Sequence, residues 1–149
     1  MKVLVQRVLE ANVKVDNKIV GEINKGLLLF VGFTNTDTSK EIDYMVNKVL
    51  NLRIFDDDNG VMNKSLLDTG GSILSISQFT LYADSSKGNR PSYINAMPGD
   101  KSIKLYEEFN AKLKEKNINI ETGVFGAFMK VDLLNNGPVT ILLEKEFDD

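Results

Sequence analysis

Alternation with a period of two opens the chain. In "KVLVQRV" Val3, Val5 and Arg7 fall on one face, as a half-buried strand requires. "NVKVDNKIVGEI" predicts a hairpin turning at Asp16 and Asn17, and "GLLLFVGF" is a short continuous apolar run, the mark of a strand buried on both faces. The period then changes. "TSKEIDYMVNKVLNL" places Ile42, Met45, Val46, Val49 and Leu50 on one helical stripe, with Thr38 and Glu41 at capping-box spacing before it. "RIF" predicts a brief strand, "DDDNG" an acidic turn, and "GGSILSISQFTLYAD" a return to strand alternation. A loop, "SSKGNRPSY", leads to a second amphipathic helix in "DKSIKLYEEFNAKLKEKN", where Leu105, Phe109 and Leu113 recur at i, i+4 and i+8. The last strands come from "INIETGVFGAFMKVDLL" and "VTILLEKEF", with "NNGPVT" at their junction. Strand runs with two separated helices predict an α+β fold: a mostly antiparallel or mixed sheet, its helices covering one face.

Composition narrows this to one domain. The 149 residues are 42% apolar, enough for a single core, and the three prolines mark no linker. No apolar stretch approaches the length of a membrane span, and charges interrupt the opening run where a signal peptide would be continuous. The expectation is a soluble, cytoplasmic protein. Two absences exclude whole classes of chemistry. With no cysteine there is no disulfide frame, thiol nucleophile or thiolate metal site. With no histidine there is no Ser-His-Asp triad, no His-rich metal site and no side chain whose ordinary pKa suits proton transfer near pH 7. Hydrolysis would have to use hydroxyls, carboxylates, lysine, backbone dipoles or the substrate's own groups. The net charge of −3 argues against a broad basic footprint on nucleic acid, so any such contact should be small and local.

Candidate chemistry is thin when each motif is read alone. Gln78 and Thr80 alternate with Ser77 and Phe79 along "SISQFTLYAD", and a polar strand face is most simply a wet one. Thr80 is a poor nucleophile without a neighbouring base, whereas backbone N–H groups at this strand end are able to cradle an oxyanion. "KGNRPSY" offers two cations around a glycine, suited to a phosphate or a stacked base; composition alone favours a solvated turn. The "DDDNG" aspartates lack the glycine and distal glutamate at EF-hand spacing. "GVFGAFM" reads as core or interface. In "NNGPVT" the Gly-Pro bond admits a cis geometry at modest cost, which would make a rigid carbonyl rim bare of side chains.

Taken together, "SQFTL", "KGNRPS", "GVFGAFM" and "NNGPVT", in this order, resemble the D-aminoacyl-tRNA deacylases, also known as D-tyrosyl-tRNA deacylases. "VQRV", "VGEINKGLLLFVG", "NLRIF", "MNKSLLDTGG" and "LYEEF" follow the same family's order, so the resemblance covers essentially all of residues 1–149 as a single domain. Asn136 stands where the family often has aspartate, and Tyr93 where phenylalanine is usual. The resemblance implies a barrel-like fold and a homodimer whose active sites lie at the subunit interface. It implies hydrolysis of the ester of D-aminoacyl-tRNA, and of mischarged glycyl-tRNA, with no cofactor and no metal. The acceptor end of tRNA is the implied partner. Carried over residue by residue, Ser77, Gln78, Phe79 and Thr80 form the catalytic strand end. Gly137 and Pro138, expected to be cis, form a rim that rejects L-amino acids; Arg7 is expected to brace it and Met129 to border the pocket.

Overall fold

The computed structural model describes residues 1–147. Its first half follows the alternation closely. Strand β1 (Lys2–Val15) turns into β2 (Lys18–Ile23) through Asp16 and Asn17, both at positive φ, as a tight two-residue hairpin demands. β1 is long enough to pair twice along one edge, its first half with β3 (Gly26–Gly32) and its second half with β2. β3 runs parallel to β6 (Ser72–Ser77), and β6 parallel to β7 (Ile120–Thr122). β7 approaches β2, so the mixed sheet curls nearly closed. Leu27, Leu28 and Leu29 of β3 are all fully buried, because side chains on both faces of this strand find a core.

Two apolar layers result. Outside the sheet, α1 (Ser39–Asn51) and α3 (Gly99–Lys114) cover Val3, Val5, Leu29, Val31 and Ile73. Inside the curl, Val8, Ala11, Val13, Leu28, Leu74 and Ile76 pack together, with Met129 and Val131 against them. The predicted stripe of α1 is buried as expected. Its capping box forms, with the Thr38 amide donating to Glu41 Oε2 at 2.9 Å. A third, four-residue helix, α2 (Leu66–Thr69), is added by its own capping box, Ser65 with Asp68.

Besides this added helix, the structure departs from the sequence reading along its strands, and the run predicted in "INIETGVFGAFMKVDLL" is broken at 123–129, between β7 and the strand that starts at Lys130. The strand of "RIF" shifts to β4 (Phe55–Asp56), paired with β5 (Met62–Lys64). Strand alternation in "SISQFTLYAD" ends at Ser77, and Phe79–Tyr82 form a 3-10 turn. Gly32 makes this possible: a Cβ there would lie 2.9 Å from the Gln78 carbonyl oxygen. Finally, "NNGPVT" does not join two strands. It lies within one strand, β8 (Lys130–Glu144), antiparallel to β1 along nearly its whole length. Thr140 pairs with Gln6 and Asn135 with Val8, so residues 136–139 face Arg7 alone and bulge out of the ladder. No helix among the described residues is long and apolar enough to cross a membrane.

Candidate active site

At the C-terminal end of β6 the chain opens a cleft of about 590 Å³. One wall is the strand end. The Gln78 amide still donates to the Val31 carbonyl at 2.8 Å, after which the chain winds into the 3-10 turn, where the Ala83 amide donates to the Thr80 carbonyl at 3.0 Å. The N–H groups of Phe79 and Thr80, in the turn's first positions, have no acceptor within the turn itself. Ser77, Gln78 and Phe79 line the cleft, whereas Thr80 is exposed beside it, its hydroxyl accepting from the Gln78 carboxamide. The ring of Phe79 meets Tyr93 edge-on, with centroids 5.1 Å apart, at the mouth.

The opposite wall is the segment 123–129. Met129 is seated over Gly123, where an added Cβ would collide with its sulfur, and its side chain lines the cleft. Phe125 is held from behind by Tyr106 of α3, with centroids 5.8 Å apart. The Tyr106 hydroxyl donates at 2.7 Å to the carbonyl of Ser75, two residues before the strand end. Burial pushes that hydroxyl above its ordinary pKa, so it stays a donor. Among the described residues no carboxylate or cation lines the cleft; its polar side chains are Ser77, Gln78, Tyr93 and Ser102. Among the described residues no cluster of three or more potential metal ligands exists.

Arg7, Gly137 and Pro138 form a second group, and none of the three lines this cleft. Arg7 is buried, continuing the face of Val3 and Val5. Its Nε donates to the Asn136 carbonyl at 2.8 Å and its Nη1 to the Ile54 carbonyl at 2.8 Å, with Asp56 at 3.3 Å. The guanidinium fork thus ties the bulge to the segment before β4. The Gly137–Pro138 peptide bond is cis, and both residues are exposed. Gly137 sits at φ 142°, and an added Cβ would meet Val139 at 2.8 Å and Arg7 Nη2 at 3.1 Å, so only glycine fits.

Sequence reasoning missed the clamp that holds this bulge. Asn135 accepts from the Val139 amide at 2.8 Å and donates to the Val139 carbonyl at 3.1 Å and to Thr140 Oγ1 at 3.0 Å. Its side chain stands in for the backbone ladder that the bulge interrupts. The signal in the sequence was the residue type, since asparagine commonly bonds nearby backbone at turns. Tyr106 was missed because its role depends on the packing of α3 against β6.

An α+β domain with a cleft of apolar walls, hydroxyls and one carboxamide, beside a turn whose first N–H groups have no acceptor within the turn, is equipped to orient an activated carbonyl compound and hold negative charge on its oxygen. Among the described residues the cleft's lining holds no acid–base pair. The sequence profile of D-Tyr-tRNA(Tyr) deacylase matches residues 4–144. A protein of Listeria monocytogenes serotype 4a (strain HCC23) named D-aminoacyl-tRNA deacylase is 54% identical over 146 residues, 98% of this chain and 97% of that one. One of the same name from Thermosipho melanesiensis is 56% identical over 147 residues, 98% of each. A solved structure named c-Myc DNA Unwinding Element Binding Protein superposes with a TM-score of 0.93 at 40% identity, covering 99% of this chain and 100% of that one. Another, solved for a probable eukaryotic D-amino acid tRNA deacylase, gives a TM-score of 0.82 over 95% and 97% of the two chains; at 18% identity it speaks for the fold. The chain belongs to the D-Tyr-tRNA(Tyr) deacylase family.

Proposed function

We propose that this protein, acting as one domain over residues 1–149, hydrolyses the ester between a D-amino acid and the terminal adenosine of tRNA in the cytoplasm, and that it also attacks glycyl-tRNA. Such a reaction recycles the tRNA and keeps D-residues out of translation. The observation that carries the reading is a cleft with hydrogen-bonding groups but, among the described residues, no charged side chain in its lining. An aminoacyl ester is already activated, and its ribose carries a neighbouring 2′-hydroxyl. Positioning and an oxyanion cradle are then sufficient, each worth several kcal/mol, roughly. Water attacks the ester carbon, and the N–H groups of Phe79 and Thr80 receive the negative charge on the carbonyl oxygen. The bond to the ribose oxygen breaks, and that oxygen takes the proton that the attacking water gives up. Ser77 and Gln78 orient the ester, and Met129 closes the wall behind it.

The lip of carbonyls at Gly137 and Pro138 is the chiral filter in this reading, lent to the cleft by a second copy of the chain. Support for a homodimer comes from β8, which among the described residues pairs only with β1 and leaves its other edge open with Leu134 half exposed. An L side chain would strike the lip, a D side chain points away, and glycine has nothing to exclude. Because the lip carries no side chain at Gly137, rejection does not depend on which L-amino acid is attached.

The test is a paired assay on D-Tyr-tRNA and L-Tyr-tRNA. Rapid release of D-tyrosine with the L-ester intact is expected; equal rates, or none on either, would overturn the proposal. A non-catalytic nucleic-acid binder is a second reading, motivated by the DNA-binding name of the 40% identical protein. A net charge of −3 weighs against a duplex-gripping role, and turnover in the same assay rules it out as the sole activity.

A further inference from the structure

On the deacylase reading the cleft of about 590 Å³ receives the terminal nucleoside and its amino acid, and the rest of the tRNA strand must then leave across the cleft's rim. The segment 84–93 stands at that rim on two feet. One foot is the turn that carries Phe79 and ends at Ala83; the other is Tyr93, and Phe79 and Tyr93 both line the cleft and touch each other. The base of the segment is closed by paired backbone hydrogen bonds between Asp84 and Ser92, each 2.8 Å. The acidic side chain in this stretch is turned inward: Asp84 Oδ1 accepts the Ser86 amide at 2.9 Å, and the Ser86 hydroxyl and amide hold its carboxyl below the usual range. Lys87 and Arg90 are exposed, and neither is in an ion pair among the described residues. A chain of net charge −3 therefore presents two free cations on a pinned loop beside the mouth of its cleft.

We infer that Lys87 and Arg90 grip the phosphates of the RNA strand just upstream of the terminal adenosine. The inference rests on the deacylase reading for the identity of the substrate. Phosphate is the matching chemistry because exposed ammonium and guanidinium side chains pair with phosphate oxygens, and such contacts position a strand without reading its sequence. Three residues of chain span at most about 10 Å, the reach of one or two successive phosphates. Such a contact also explains how a mildly acidic protein holds RNA: the footprint is confined to one loop, with the remaining affinity coming from the cleft.

The experiment compares the wild type with the Lys87→Ala/Arg90→Ala double variant on D-Tyr-tRNA and on D-tyrosine esterified to adenosine alone. The expected result is a loss of kcat/KM on the tRNA on the order of tenfold. Hydrolysis of the adenosine ester should be unchanged. The salt dependence of tRNA binding, read as log affinity against log salt by fluorescence anisotropy with uncharged tRNA, should flatten by about 1.4 for two single-strand phosphates. Exchanging the cations, Lys87→Arg with Arg90→Lys, should restore most of the affinity. Equal losses on both esters, or unchanged anisotropy and tRNA kinetics, would overturn the inference. A wild type that binds tRNA through these residues but hydrolyses neither ester would sink the deacylase reading while leaving the loop assignment standing.

Discussion

Replacing Arg7 with lysine separates a filter made of backbone from a merely structural bulge. Arg7 is 7% exposed and holds two carbonyls, those of Asn136 and Ile54, at 2.8 Å each. Its contact with Asp56 adds little, because that carboxylate is 52% exposed and screened by water. Lysine keeps the charge but not the planar fork, so it can satisfy one carbonyl at the expense of the other. One lost hydrogen bond to a charged donor costs about 1.5–3 kcal/mol. For a chain of this size each kcal/mol lowers the melting temperature by roughly 3 °C, giving a fall of about 5–9 °C. Misplacing the lip by an ångström would cost up to about a hundredfold in catalysis where the lip orients substrate. The assays are a thermal melt and kcat/KM on D-Tyr-tRNA and L-Tyr-tRNA. A drop in melting temperature with a collapsing D-to-L ratio is expected. A variant that melts early yet discriminates as well as the wild type would refute the filter, because the brace would then serve the fold alone.

Two further outcomes follow from the same structure. Thr80→Ala should retain activity within about tenfold, since the hydroxyl is exposed, has no base and contacts only the Gln78 carboxamide; a loss beyond about a thousandfold in a folded variant, worth roughly 4 kcal/mol, would restore threonine as the nucleophile. Acid should weaken the fold through exposed carboxylates that cap backbone N–H groups. Asp68 is held below the ordinary aspartate value of 3.8 by the Ser65 amide, and Asp57 by the Val61 amide. A depressed folded pKa stabilises above the unfolded value, and that contribution disappears as pH falls from about 3.8 through the folded values. Asp37, raised by burial, runs the other way and offsets part of the loss. Asp68→Asn keeps an oxygen to accept from Ser65 but cannot titrate, so urea melts between pH 5 and 3 should show a shallower decline; an identical decline would refute the assignment.

Much of the fold was legible because period and burial agree. The hairpin at Asp16 and Asn17, the doubly buried β3 and the stripe of α1 each rest on local residues whose preferences point the same way as the tertiary packing. The reading failed where backbone leaves its regular path. Alternation in "SQFTLY" is real in sequence, but Gly32 on the neighbouring strand lets the Gln78 carbonyl approach, and the chain coils into a 3-10 turn. Nothing within the motif announces a glycine so far back along the chain.

The same reasoning accounts for the error at "NNGPVT", and it sharpens the meaning of that stretch. A Gly-Pro pair reads as a boundary between strands because proline lacks a ladder donor. Here β1 continues opposite it, and the missing ladder bonds are replaced from the side: Asn135 closes the bulge on itself, and Arg7 ties its carbonyl to the segment before β4. A simple reversal between strands would not require a buried arginine at its back. The bulge therefore has the construction of a presented surface, stiffened from within the chain and left bare on its outer side. Gly137 and Pro138 do not line the cleft of their own chain, and it is for this reason that the proposed filter calls on a second copy to receive them.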